Sequence, residues 1–178
     1  MQTLLQTALL AVTAIAASLP TQIADGTNGF RLWANMIYPD LGPEWGSAVQ
    51  GYELSYASSS QCQAEVILVP ANQGSTFYAK NNTIGLYFED ESPLFAGMGL
   101  HWRATATVPS GRPVKLKCLD GTQGLTLTTN GVYYPGEMGP DFNGAFMACG
   151  REYIFLSFFA WGQRPLYGCT VVQLLPIY

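Results

Sequence analysis

Short segments of alternating apolar and polar residues, separated by glycine and proline, are the feature that most limits what this chain can fold into. In Leu100–Val108 every second residue is apolar, which is the period of a strand with one buried face. Pro109–Pro113 has the composition of a turn, and Val114–Leu119 alternates again. The two alternating segments are therefore predicted to pair as a hairpin.

Comparable strand candidates follow one another at intervals of about ten residues. They are Phe30–Ile37, Tyr52–Ala57, Ala64–Val69, Ser75–Ala79, Ile84–Phe88, Leu125–Thr129, Tyr153–Trp161 and Thr170–Leu175. Tyr153–Trp161 carries no charge and is expected to be covered on both faces. No segment after residue 20 has a helical period, and the 19 glycines and 11 prolines are dispersed, where they would interrupt a long helix. The predicted fold class is all-β, an antiparallel β-sandwich or barrel of about 8–10 short strands.

The N-terminal segment has the composition of a secretory signal peptide. Met1–Ser18 is uncharged and mostly apolar, ends in small residues, and is followed by Pro20. Its apolar run is shorter than the roughly 20 residues that are needed to cross a bilayer. We therefore expect 1–18 to be cleaved and 19–178 to be a single secreted β-domain, extracellular or cell-wall associated and without a membrane contact. A retained anchor and a buried N-terminal helix are the alternatives.

The cysteines fit the oxidising compartment that a signal peptide implies. Cys62, Cys118, Cys149 and Cys169 allow three pairings. We favour Cys62–Cys118 and Cys149–Cys169, because the second pair closes a loop of about 20 residues between neighbouring strand candidates. A sequon at Asn81 lies in a polar stretch, so a glycan on an exposed turn is also predicted.

Charge and residue type exclude several classes of partner. Lys and Arg number 8 against 12 Asp and Glu, which gives a formal net charge of −4 and argues against a nucleic-acid partner. The single histidine excludes a His-rich zinc site, and no Cys-x-x-Cys motif occurs. We expect neither a metal site nor a cofactor.

Candidates for catalysis are sparse. His101 lies on the polar side of its predicted strand, where a solvated residue or a ligand contact is the simpler interpretation, and no Gly-x-Ser-x-Gly motif occurs. Glu89 and Glu91 would share one face of an extended segment, as a weak Ca²⁺ site or a pair of acid and base carboxylates requires, and Asp120 is a further candidate for the pair. Acidic triplets followed by Ser-Pro also mark solvated turns. A glycosidase-like secreted hydrolase is therefore the alternative function, and no catalytic residue is predicted.

The number of aromatic residues is the most unusual feature of the composition, with 4 Trp, 10 Tyr and 9 Phe. Trp45, Tyr133 and Tyr134 lie in segments rich in proline and glycine, where rigid exposed rings can stack on sugars or anchor a protein partner. With His101 they are the predicted binding residues, and the predicted partner is a polysaccharide or a surface protein. The alternative is that these rings cap the ends of the core.

The C-terminal part of the chain resembles a known family. Gly144–Cys149, followed after about twenty residues by Gly168–Pro176, is similar to the end of a domain of unknown function found in small secreted proteins of filamentous ascomycete fungi. Phe30–Ala34 resembles its opening strand, and Gly51–Leu54 and Thr76–Ala79 lie at similar places. The resemblance implies an extracellular β-rich domain and brings no catalytic residues. The predicted function is a secreted, non-catalytic β-domain protein that binds at a cell wall or another surface.

Overall fold

A computed structural model describes residues 28–38, 46–88, 94–100, 112–119, 121–135, 138, 146–159, 163 and 165–178. Within these ranges the chain forms thirteen strands and no helix, so none of the described residues forms a helix that could span a bilayer. The strands are β1 (Arg31–Met36), β2 (Glu53–Ser60), β3 (Gln63–Val69), β4 (Tyr78–Lys80), β5 (Thr83–Tyr87), β6 (Phe95–Gly99), β7 (Arg112–Pro113), β8 (Lys115–Cys118), β9 (Thr126–Thr128), β10 (Gly131–Tyr133), β11 (Phe146–Cys149), β12 (Phe155–Phe158) and β13 (Cys169–Ile177).

Six antiparallel strands close into a barrel in the order β1-β2-β3-β12-β11-β13. The first strand pairs with the last, β13, along its whole length. The ring closes where β3 meets β12 at the pair Phe155↔Ile67. The all-β prediction is thus confirmed, in its barrel form. More strands are present than the sequence predicts because four of them are only two or three residues long.

The remaining strands extend the barrel. β8 pairs with β3, and β6, β5 and β4 follow in that order. This extension curls back on the barrel, because Phe77, just before β4, pairs with Phe30, just before β1. The segment with β7 and β8 enters between β3 and β12. There the Val114 carbonyl accepts the Val66 N–H at 3.0 Å, and the Val114 N–H donates to the Leu156 carbonyl at 2.8 Å.

The alternation within β1 separates a core face from an outer face. Leu32 and Ala34 are buried in the main core, which fills the barrel and its extension. Arg31, Trp33 and Asn35 point to the other side, and each is partly exposed. Because side chains alternate along a strand, these three residues lie in one row on the outside of the barrel.

A second, smaller core covers the outer side of β11 and β13. It consists of Met147, Cys149, Phe159, Cys169 and Val171. β12 also lies between the two cores, because Leu156 and Phe158 belong to the main core whereas Phe155 packs against the second. β12 is therefore covered on both faces, as predicted for the segment that contains it, whereas Tyr153 at the start of that segment is 47 % exposed.

The strand predicted at Val114–Leu119 is present as β8, whereas its predicted pairing with Leu100–Val108 falls almost entirely on residues outside the description. β8 pairs with β6 on one side, with Met98 opposite Leu116, and with β3 on the other. Apart from its first residue, the predicted partner Leu100–Val108 lies outside the described residues. β6 escapes the sequence pattern because Gly97 and Gly99 stand where polar side chains would reveal the alternation.

Both disulfides join opposed positions of neighbouring strands. Cys149 in β11 lies directly opposite Cys169 in β13. Cys62 precedes β3 and is bonded to Cys118 at the end of β8, where the Cys118 N–H also donates to the Cys62 carbonyl at 3.2 Å. The favoured connectivity is therefore confirmed.

Candidate functional site

The predicted binding residues are only partly within the described residues. Tyr133 and Tyr134 are half-buried and pack against the main core. The Tyr134 ring meets the Phe158 ring edge-on, with 6.1 Å between their centroids. Trp45 and His101 lie outside the described residues. The two consecutive tyrosines thus lie at the margin of the core, and their role in binding stays a prediction.

Of the candidate carboxylates and the candidate glycosylation site, only the glycosylation site lies within the described residues. Glu89, Glu91 and Asp120 lie outside the described residues. In the part of the chain that is described, no group of three or more His, Cys, Asp and Glu side chains could hold a metal ion. Asn81 is exposed in the turn between β4 and β5, where a glycan is sterically possible, and its modification stays a prediction.

The best-formed cluster of polar and aromatic side chains lies on the outer side of β1, and we call it the Trp33 face. Its members are Arg31, Trp33, Asn35, Gln50, Glu53, Gln173 and Leu175. Trp33 lies directly opposite Leu175 in β13 and Glu53 in β2, and Asn35 lies opposite Gln173. Directly opposed residues of antiparallel strands have neighbouring side chains on the same face. Three strands distant in sequence thus assemble this surface.

A chain of amide hydrogen bonds runs across the Trp33 face. The Met36 N–H donates to Gln50 Oε1 at 2.8 Å, and Gln50 Nε2 donates to Asn35 Oδ1 at 3.1 Å. Asn35 Nδ2 donates to Gln173 Oε1 at 3.3 Å, and Gln173 Nε2 donates to the Asn130 carbonyl at 2.7 Å. Each of the three amide groups keeps a second N–H and a second lone pair beyond these bonds. The chain fixes the orientation of the amides and leaves them able to bind further polar groups.

A tight turn before β2 places Gln50 on this face. The Tyr52 N–H donates to the Val49 carbonyl at 3.0 Å, and Gly51 has a φ of 79°. The Gly51 N–H donates to the Ala34 carbonyl and the Ala34 N–H donates to the Tyr52 carbonyl, which is the pattern of a G1 bulge. A left-handed backbone is costly for residues with a Cβ, so glycine suits this position. The bulge turns Gln50 back toward β1.

An ion pair borders the face on the side of β2. Arg31 Nη1 lies 3.2 and 3.0 Å from the two carboxylate oxygens of Glu53, whose side chain is only 3 % exposed. Glu53 Oε2 also accepts the Gly74 N–H at 2.9 Å, and the next residue, Ser75, donates its N–H to the Leu54 carbonyl. A buried carboxylate is tolerated when it is paired and hydrogen-bonded in this way. The pair fastens the loop 70–76 over β2 and keeps a guanidinium at the edge of the face.

Comparison with protein families gives a match over residues 27–178 to a domain of unknown function. The chain belongs to the DUF7907 family. All thirteen strands lie inside the match, so the Trp33 face is part of the DUF7907 domain. Searches of the curated proteins and of the solved structures found no match.

The Trp33 face presents groups that make non-covalent contacts. The Trp33 ring is a flat apolar surface, and Asn35, Gln50 and Gln173 present oriented donors and acceptors beside it. Arg31 adds a partly exposed cation. None of these residues is a nucleophile with an adjacent base, the arrangement that covalent catalysis requires.

The Trp33 face is not among the sequence predictions, although the alternation in β1 indicates part of it. The alternation in Phe30–Ile37 places Arg31, Trp33 and Asn35 on one side of the strand, and the two polar neighbours mark that side as the outer one. Nothing in the sequence indicates that Gln173 would be the cross-strand partner. That neighbour follows only from the register of β1 against β13.

Proposed function

We propose that this DUF7907 protein is a secreted, non-catalytic domain that binds polysaccharide at a cell wall or another surface through the Trp33 face. The observation that carries the proposal is the partly exposed Trp33 side chain bordered by a hydrogen-bonded chain of amide side chains. Sugars have apolar C–H faces that pack on aromatic rings, and hydroxyl groups that amides bind as donors and as acceptors.

Preorganisation supports the same function. Gln50, Asn35 and Gln173 already hold one another, so ligand binding would immobilise few additional rotamers. The formal net charge of −4 and the small number of charged residues also suit a neutral polymer better than a polyanion.

Several observations support secretion. The apolar leader 1–18 precedes the family match, which begins at residue 27. The two disulfides fit an oxidising compartment. The resemblance to secreted proteins of filamentous fungi points the same way. Intact mass of the protein recovered from culture medium tests this part, because cleavage of the leader near residue 18 removes a calculable mass.

The binding proposal is tested on an array of fungal and plant polysaccharides, followed by titration of any polysaccharide that binds. We expect Trp33→Ala to weaken binding at least about tenfold, as central aromatic contacts do. Tyr167→Ala is the matched control, because Tyr167 is 80 % exposed and lies outside the face. Thermal unfolding of each variant establishes that it is folded.

The amides provide a second readout. If ring and amides form one site, Gln173→Leu and Trp33→Ala should be non-additive in binding free energy, as residues that share a ligand are. Absence of binding on the array refutes the proposal. Binding that survives Trp33→Ala but is lost in Trp45→Ala or Tyr134→Ala assigns the activity to the loops and refutes the role of the face.

A further inference from the structure

The sequon at Asn81 lies in a tight hairpin turn. Lys80 in β4 pairs with Thr83 in β5, so Asn81 and Asn82 alone form the connection. Their φ angles are 51° and 58°, and both residues are exposed. Positive φ at both central positions is characteristic of the type I′ turn, in which asparagine is favoured. The acceptor amide is thus held at the tip of a well-defined hairpin.

An aromatic face lies beside this turn on the outer side of β4, β5 and β6. Its members are Tyr78, Lys80, Tyr87 and Phe95, and we call it the β4–β6 face. The Tyr87 ring lies 5.3 Å from the Tyr78 ring and 5.6 Å from the Phe95 ring, edge-on in both cases. Lys80 Nζ donates to the Tyr87 hydroxyl at 3.1 Å and lies 5.5 Å from the centroids of the Tyr87 and Phe95 rings. The three rings are half-buried, so part of each reaches the surface.

The hairpin geometry places the acceptor and the rings within reach of each other. Lys80 immediately precedes Asn81, and Tyr78 lies three residues away, about 10 Å at the rise of a strand. Two linked sugars attached to Asn81 span that distance. Their C–H faces match ring surfaces for the same reason that free saccharides do.

The position of β4 gives such a contact a structural consequence. β4 is the terminal strand of the eleven-stranded sheet and is only three residues long. A terminal strand has a neighbour in the sheet order on one side only, and a strand of three residues makes few ladder hydrogen bonds. A sugar packed on the side chains of β4 and β5 would hold the two strands together.

We propose that the reducing-end N-acetylglucosamine residues of an N-linked glycan on Asn81 pack on the β4–β6 face and stabilise this hairpin. The inference rests on the secretory route in the proposed function, because N-glycosylation takes place on that route. The glycan is here a structural part of the domain, distinct from any polysaccharide that the Trp33 face binds.

The test uses the protein secreted from a glycosylating yeast with the host's own leader, so the result does not depend on the native leader or on polysaccharide binding. Intact mass before and after peptide-N-glycosidase treatment gives the occupancy. Asn81→Asp provides the unglycosylated form, because aspartate keeps the short side chain and tolerates the left-handed backbone. Each form is prepared in three backgrounds: the native chain, Tyr78→Ala, and the control Tyr178→Ala, which removes a ring that is 75 % exposed and follows β13.

We expect the glycan to raise the midpoint of thermal unfolding by about 2–4 °C in the native and Tyr178→Ala backgrounds, and by less than about 1 °C in Tyr78→Ala. An unoccupied Asn81, or an equal gain in all three backgrounds, overturns the proposal. Should Tyr78→Ala fail to fold, NMR of the native glycoprotein decides. Ring currents must shift an N-acetyl methyl signal upfield, and an unshifted signal overturns the proposal as well.

Discussion

Removing Arg31 should destabilise the protein more than neutralising Glu53, because the two partners of the ion pair are buried to different degrees. The Glu53 side chain is 3 % exposed, and that of Arg31 is 35 % exposed. Arg31→Met leaves a buried carboxylate whose remaining partner is the Gly74 N–H. Loss of one partner from a buried pair costs 3–5 kcal/mol, and we expect about 3 kcal/mol because Arg31 is partly solvated in the native state.

The opposite substitution is milder for two reasons. In Glu53→Gln the guanidinium of Arg31 can hydrate, and the amide oxygen can still accept the Gly74 N–H. The cost should be about 1.5 kcal/mol, the net value of one hydrogen bond to a charged group. The predicted difference of about 1.5 kcal/mol corresponds to roughly 3–6 °C in unfolding temperature for a chain of this length.

Urea unfolding of the disulfide-bonded protein measures both losses, provided that the dependence on urea concentration is unchanged between variants. Arg151→Met is the control for removing an exposed guanidinium, and it should cost less than about 1 kcal/mol. Equal losses in Arg31→Met and Glu53→Gln, or a larger loss in Glu53→Gln, would refute the reasoning from unequal burial.

Three further predictions concern stability. Replacing Cys62 and Cys118 by alanine should lower the free energy of unfolding, measured in urea, by about 4 kcal/mol. The disulfide closes a loop with a sequence separation of 56 residues, which sets the entropy that it removes from the unfolded chain. A loss below about 2 kcal/mol contradicts this. Gly51→Ala should cost about 1–2 kcal/mol from its φ of 79° alone, since no atom lies within 4 Å of an added Cβ, and an unchanged urea midpoint would show that the turn relaxes. Burial and the neighbouring Glu65 raise the pKa of Tyr153, so the native state holds that proton more tightly than the unfolded chain does. The free energy of unfolding should therefore fall as pH rises above about 10, and urea midpoints across that range should fall less steeply in Tyr153→Phe.

Alternation identifies strands with one solvent-exposed face and one buried face, whereas Tyr153–Trp161, which contains β12, is predicted from its uncharged composition. Val114–Leu119 alternates clearly and corresponds to β8. β11 does not alternate, because it is buried between the two cores and all four of its residues are apolar. Strands of this kind give no period to detect, so Phe146–Cys149 escapes a search for alternation.

The choice between sandwich and barrel depends on contacts that local patterns do not contain. Closure requires β1 to pair with β13, and the hydrogen bond between Asn35 and Gln173 joins residues 138 positions apart. Alternation specifies which residues of each strand face inward. It leaves open which strand is the neighbour, because many apolar faces would fit equally well.

The rings of Trp33 and Tyr134 show what a strand and a loop each reveal about the direction of a side chain. A ring in a loop rich in proline and glycine can be exposed or can cap the core, and Tyr134 packs edge-on against Phe158 at the margin of the core. Trp33 lies in β1 between Arg31 and Asn35, whose polar side chains mark this side of the strand as the outer one. Trp33 and Tyr134 are both partly buried, so the alternation gives the direction of the Trp33 side chain and not a greater exposure. The pleat fixes the direction of a side chain, whereas a loop can fold back on the core. Applied to both ends of the chain, this criterion places Trp33 and Gln173 on outer faces, and the closure of the barrel then makes those faces one surface.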